Sequence, residues 1–262
     1  YPDQVMLCEA KPVLVGTSER TGFKLTVESL NEALTNKTRL LILNSPSNPT
    51  GFAYTETELK EIASFCVKHN IIVLSDEIYD AIVFDGFKCR SIACIEGMKE
   101  RTVMINGVSK KFAMTGWRMG FAAAPAELIG KMTDIQGQAI TNVTSITQKA
   151  CVAAYDGPKE PVERMVRAFR ERRDYMIERL NRIGLRCGRP NGAFYAFPNV
   201  SDHFGRTLNG KKFEYSADIS EYLLTNAHVA TVPGDSFGLD GYIRLSYATS
   251  MENIEEGLNR IE

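Results

Sequence analysis

Two short apolar runs set the first half of the chain. "RLLILNSP" (Arg39–Pro46) and "IIVLSDEIY" (Ile71–Tyr79) are continuous in apolar residues and turn polar at their C-terminal ends. Runs of this length without alternation predict strands covered on both faces. Between them, Leu59, Ile62, Ala63, Cys66 and Val67 recur at helical spacing, and Thr55 with Glu58 forms a capping box at the start of that helix. Strand, helix, strand implies parallel pairing, because parallel neighbours need a crossover element. "TVMING" (Thr102–Gly107) and "GFAAAP" (Gly120–Pro125) predict two further strands.

A long helix is predicted after Gly157-Pro158, with Val162, Met165, Val166, Phe169, Met176, Leu180 and Ile183 along one face. Arg164, Arg167, Arg170, Arg172 and Arg173 are interleaved with Glu160, Glu163, Glu171, Asp174 and Glu178. Mixed signs predict a solvated face and not a nucleic-acid patch. Beyond Gly184, "GAFYAFPNVS", "HVATVPGDSFG" and "GYIRLSYATS" read as short strands between turns, with a helix in "DISEYLLTNA". The expected fold class is α/β. A mainly parallel sheet flanked by helices occupies residues 1–157. The long connecting helix and a smaller C-terminal α+β domain occupy residues 158–262.

Composition narrows the function classes. Hydrophobic residues make up 44% of the 262, enough for a packed core, and the net charge is −1. No global field draws in nucleic acid or an anionic membrane, and no apolar run reaches the roughly 18 residues that span a bilayer. The opening "YPDQVMLCEAKPV" has no basic region followed by an apolar stretch, so no signal peptide is expected there. The six cysteines are scattered without a C-x-x-C pair, which predicts reduced thiols and a cytoplasmic setting. The three histidines do not pair at metal-ligand spacing, so no metal site is expected.

Four stretches can carry chemistry. "NSPSNPTG" (Asn44–Gly51) follows a strand and is either an ordinary turn or a ligand loop at the strand's C-terminal end. In "SDEIYD" (Ser75–Asp80), Asp76 comes directly after an apolar run and needs a cation or donors to stay ionised if it is desolvated. "NGVSKKFAMTGWRMGF" (Asn106–Phe121) holds Lys110 and Lys111 near Arg118. A lysine there is either a surface charge or a nucleophile with a lowered pKa, and an arginine among small residues suits a phosphate. In "GYIRLSYATS", Arg244 interrupts an apolar strand and must pair with an internal carboxylate or with a substrate carboxylate. A reactive lysine, an anchored phosphate, a desolvated aspartate and a carboxylate clamp together suit pyridoxal phosphate chemistry.

These stretches, in this order and at this spacing, make the chain resemble a class I aminotransferase of fold type I, nearest to the bacterial-type aspartate aminotransferases. The resemblance covers nearly the whole chain. The run Gly107-Val108-Ser109-Lys110 followed by Ala113-Met114-Thr115-Gly116-Trp117-Arg118-Met119-Gly120 fits the family's pyridoxal-attachment signature throughout. The resemblance implies that Lys110 carries pyridoxal 5'-phosphate as a Schiff base and later moves the substrate proton, with Lys111 a bystander. It implies that Asp76 partners the pyridine nitrogen, that Tyr79 and Asn48 donate to the ring's phenolic oxygen, and that Arg118 binds the phosphate. Arg244, with Asn48 beside it, would hold the substrate α-carboxylate. The implied reaction is ping-pong amino transfer between an amino acid, aspartate or glutamate, and a 2-oxo acid, in a homodimer. A β-elimination on the same fold and the effector domain of an aminotransferase-like transcription regulator are the alternative readings.

The chain departs from some relatives at Gly107, where they have a serine three residues before the lysine. A hydroxyl contact to the phosphate is not expected there, and Ser109 is the nearest substitute. The resemblance also implies a segment ahead of Tyr1 that supplies a phosphate-binding turn, a ring-stacking aromatic and contacts to the partner subunit. The stretch from Tyr1 onward is therefore expected to bind the cofactor weakly by itself.

Overall fold

The computed structural model describes residues 1–262. Eight α-helices run in chain order as α1 (Pro2–Leu7), α2 (Val27–Ala33), α3 (Glu56–Lys68), α4 (Ala126–Ala139), α5 (Ser145–Asp156), α6 (Glu160–Arg182), α7 (Ser216–Asn226) and α8 (Met251–Ile261). The strands are β1 (Leu40–Asn44), β2 (Ile72–Asp76), β3 (Thr102–Gly107), β4 (Gly120–Ala123), β5 (Tyr195–Ala196), β6 (Thr207–Leu208), β7 (Lys211–Lys212), β8 (Val232–Pro233) and β9 (Ile243–Ser246).

One sheet has the order β1-β2-β3-β4. The first three strands are parallel, with Asn44 level with Asp76 and Asp76 level with Ile105. Strand β4 runs antiparallel to β3 and brings Gly120 opposite Gly107. The C-terminal ends of β1, β2 and β3 therefore lie along one edge, where ligands bind in open α/β sheets. A second sheet, β5-β9-β8, is antiparallel, and β6 and β7 form a separate hairpin.

Helix α3 forms as its spacing predicts. Thr55 Oγ1 accepts from the Glu58 N–H, and Glu58 Oε2 accepts from the Thr55 N–H at 2.7 Å. Leu59, Ile62, Ala63 and Cys66 pack on Leu43 and Val73 of the sheet. Burial of each large side chain in such a cluster contributes about 1.5–3 kcal/mol. The expectation of strands covered on both faces holds only in part. Leu40 and Ile72 are 45% and 43% exposed, because α3 covers one face of the sheet at that end.

The larger core cluster joins Tyr79, Ile82 and Phe84 to Phe169, Met176 and Leu180 of α6, Ile243 and Leu245 of β9, and Ile254 and Leu258 of α8. Arg173 corrects the reading of α6 as a helix with a wholly solvated arginine face. It is fully buried, on the same stripe as Phe169, Met176 and Leu180. Its guanidinium pairs with Asp85 at 2.8 Å and Asp174 at 2.7 Å, donates to the Pro190 carbonyl at 2.9 Å, and stacks over Phe84. A charge buried this deeply is tolerated because its donors are matched. The network ties α6 to the loops at residues 84–85 and 189–190, the second of which leads into β5.

Candidate active site

The loop after β1 is locked from within. Asn44 Nδ2 donates to the Asp76 carbonyl at 3.1 Å, and Asn44 Oδ1 accepts from the Asn48 N–H at 2.8 Å. Gly51 has φ +72°, and a Cβ there would come within 2.6 Å of Pro190 Cβ and 2.9 Å of the Gly192 carbonyl. Only glycine meets both the backbone angle and the close approach. This presses the Asn44–Gly51 loop against the segment that carries β5.

Asn48 faces the antiparallel sheet. Arg244 on β9 donates from Nη1 to Asn48 Oδ1 at 2.7 Å. That bond fixes the amide's orientation and leaves Nδ2 as a donor. The Arg244 guanidinium lies between two rings, 4.7 Å from the centre of Tyr195 and 5.0 Å from that of Phe237. No internal carboxylate pairs with Arg244 in the structure, which leaves its fork open to an external one.

Asp76 ends β2. Its Oδ1 accepts from the Ile78 N–H at 3.1 Å and its Oδ2 from the Tyr1 hydroxyl at 2.5 Å. Both partners are neutral donors, and no cationic side chain offsets the charge. Burial and the bond to Asp76 push the Tyr1 hydroxyl well above its ordinary pKa, so it stays protonated and donating. Tyr79, one turn on, is 4% exposed, and its hydroxyl lies 2.8 Å from that of Tyr195. Burial first, then the Tyr195 hydroxyl, raises its pKa far above that of a free tyrosine.

The two lysines separate. Lys111 Nζ lies 3.8 Å from Asp80 Oδ2 and faces the rings of Tyr155 and Phe112 at 5.3 and 5.7 Å. Lys110 makes no ion pair, and its ammonium faces the rings of Tyr79 and Phe194 at 6.0 and 5.8 Å. Arg118 is brought less fully into this group. It sits at φ 51° after a short 3-10 turn, donates to the Thr115 carbonyl at 3.0 Å, and lines an outer groove with Trp117, Asn142, Thr144 and Thr147. At Gly107 a Cβ would meet the Met119 carbonyl at 2.9 Å and Gly120 Cα at 3.0 Å, so β4 fills the space a side chain would need. That is a local reason for glycine at this departure from the relatives' serine.

The sequence singled out neither Tyr1 nor Tyr195. A tyrosine in an apolar run such as "GAFYAFP" must find a polar partner when buried, but only the fold says which.

Glu77 lies next to Asp76 in sequence and faces away from it. It is 8% exposed and is held by the hydroxyls of Ser75 at 2.8 Å and Ser91 at 2.6 Å, with no cation. Burial raises its pKa against the opposing effect of the two serines. A carboxyl raised in the fold favours the protonated state. Its contribution is full below the unfolded pKa and is lost as pH rises through the folded one. Glu77→Gln, which stays neutral, is therefore expected to gain stability relative to the parent as pH rises from 4 to 8. Urea midpoints across that range check this, and a constant difference would contradict it.

Comparison with known proteins gives the family of the chain. The aminotransferase class I and II family matches residues 1–261. An aspartate aminotransferase of Rhizobium meliloti (strain 1021) is 44% identical over 265 residues, which cover all of this chain and 65% of that protein. The chain thus spans just under two thirds of the length of that curated relative. The crystal structure of the aspartate aminotransferase from Rhizobium meliloti superposes with a TM-score of 0.96 at 44% identity, covering all of this chain and 66% of that one. An aromatic aminotransferase from Pyrococcus horikoshii superposes at 0.94 with 43% identity, covering all of this chain and 69% of that one. The chain belongs to the class I and II aminotransferases.

Proposed function

We propose that the protein transfers an amino group between an amino acid, aspartate or glutamate, and a 2-oxo acid, with pyridoxal phosphate as cofactor. One observation carries this reading. Arg244 reaches across 196 residues of sequence to hold Asn48, so a carboxylate clamp and a polar donor from the edge of the parallel sheet meet in one site. The similarity to aspartate aminotransferases over the whole chain supports the substrate class.

The residues present fit the cofactor. Asp76 carries a half-buried negative charge with two neutral donors and no cation, as a protonated ring nitrogen requires. Tyr79 and Asn48 Nδ2 would supply donors for the phenolic oxygen, Arg118 a guanidinium for the phosphate, and Lys110 the attachment amine. When bound, pyridoxal phosphate supplies an electron sink for negative charge at the substrate Cα.

The chain's own groups do the rest. Asp76 would hold positive charge on the ring nitrogen and so strengthen that sink. Arg244 grips the α-carboxylate with two parallel hydrogen bonds and sets which Cα bond faces Lys110. Lys110 Nζ, when free, would take the proton from the substrate Cα and later return it as general base and acid.

The protein acts in this reading as a cytoplasmic homodimer. Exposed Ile135, Ile140 and Ile146, on α4 and α5 and between them, support an apolar contact with a second copy.

The substrate class is tested by a panel of amino donors offered to the full-length protein with 2-oxoglutarate. Aspartate is expected to be turned over at least about tenfold more efficiently than phenylalanine or tyrosine. A preference for an aromatic donor would overturn the aspartate assignment.

A further inference from the structure

Tyr195 touches two groups of the proposed site and has been given no role in it. Its hydroxyl lies 2.8 Å from the Tyr79 hydroxyl, and its ring lies under the Arg244 guanidinium at 4.7 Å. It sits on β5, paired with β9, the strand that carries Arg244. At 7% exposure its hydroxyl is shut away from bulk water.

Either hydroxyl can donate in this pair, and the direction is set by what else the site holds. Each tyrosine hydroxyl has one hydrogen to donate and an oxygen that accepts. The only acceptor within reach of the Tyr195 hydroxyl is the Tyr79 oxygen. With an acceptor in the site for the Tyr79 hydrogen, donation by Tyr195 gives both hydrogens a partner, whereas donation by Tyr79 would leave the Tyr195 hydrogen buried without one. With the proposed cofactor's phenolic oxygen as that acceptor, Tyr195 would donate to Tyr79 and Tyr79 would donate onward. The Tyr79 ring faces Lys110 Nζ, which places Tyr79 beside the proposed attachment amine. A donor that is itself accepting a hydrogen bond is the stronger donor. The positive charge of Arg244 over the Tyr195 ring polarises that ring's O–H further toward donation.

We propose that Tyr195 is a positioning residue of the amino-transfer site, whose hydroxyl holds Tyr79 as a donor aimed at the cofactor's phenolic oxygen while its ring seats the Arg244 clamp. The inference rests on the function proposed above. It goes beyond it by joining the cofactor-side donor and the substrate-side clamp through one side chain.

The test uses the full-length protein loaded with pyridoxal phosphate and the pH titration of the lysine-bound cofactor's absorbance. A donor to the phenolic oxygen favours its anionic form and lowers the pH at which that band titrates. Tyr195→Phe keeps the ring and deletes the donor. It is expected to raise the midpoint by about half a pH unit and to lower kcat several-fold. KM is expected to stay within about twofold, because the ring still seats Arg244. In a Tyr79→Phe background, adding Tyr195→Phe is expected to move the midpoint by less than about 0.2 unit, since the path through Tyr79 is gone. A Tyr195→Phe midpoint equal to that of the parent would overturn the inference and leave the proposed function standing. An equal shift in both backgrounds would overturn it as well. A parent protein with no pH-dependent band would remove both the proposed function and the inference.

Discussion

Replacing Lys110 with alanine in the full-length protein is expected to abolish amino transfer, by at least about 10⁴-fold in kcat. The same replacement at Lys111 is expected to cost no more than about fivefold, the scale of a partly exposed ion pair. The asymmetry comes from placement and not from residue type. Lys111 is already engaged by Asp80 and by the faces of Tyr155 and Phe112. Lys110 has no ion-pair partner and faces Tyr79 and Phe194, at the sheet edge where Asp76 and Asn48 also lie. An amine there is available both for attachment and for carrying a proton. Single-turnover kinetics on the two variants decide between the lysines. Equal losses would mean that both act on the reaction, and the reverse order would transfer the role to Lys111.

Arg173→Met is expected to show the largest loss of stability, about 2–4 kcal/mol in a urea titration. The buried guanidinium satisfies Asp85, Asp174 and the Pro190 carbonyl at once. The two carboxylates are partly exposed, at 47% and 40%, and can recover water when the arginine is removed. The loss is therefore expected below the upper end seen for wholly buried pairs. Asp174→Asn is expected to cost less, because Asp85 still faces the charge. An Arg173→Met variant within about 0.5 kcal/mol of the parent would show that the network adds no net stability, as some buried ion networks do not.

The parts legible in the sequence are those with local causes. The apolar runs before Asn44 and Asp76, and the capping box at Thr55, each act within a few residues, and β1, α3 and β2 stand where those patterns put them. The antiparallel course of β4 is not carried by any pattern in "GFAAAP", because it depends on how the long connection between Gly107 and Gly120 folds back. The burial of Arg173 was hidden for a similar reason. Its charge groups it with Arg170 and Arg172, while its helical phase groups it with Phe169 and Met176. At the proposed site, Asp76, Lys110, Arg118 and Arg244 stand out by residue type at a strand end, within one signature or inside an apolar strand, and the roles of Tyr79 and Asn48 come from the family resemblance. Tyr195 and Tyr1 do not stand out, since each gains its meaning from a partner more than 70 residues away.

The central claim is that Lys110 is the point where this chain holds its cofactor. The direct measurement is borohydride reduction of the full-length protein loaded with pyridoxal phosphate, followed by proteolysis and mass spectrometry of the labelled peptide. The pyridoxyl mass is expected on Lys110 alone, at close to one label per chain. A label on Lys111 or on another lysine, or no site-specific label, would contradict the account.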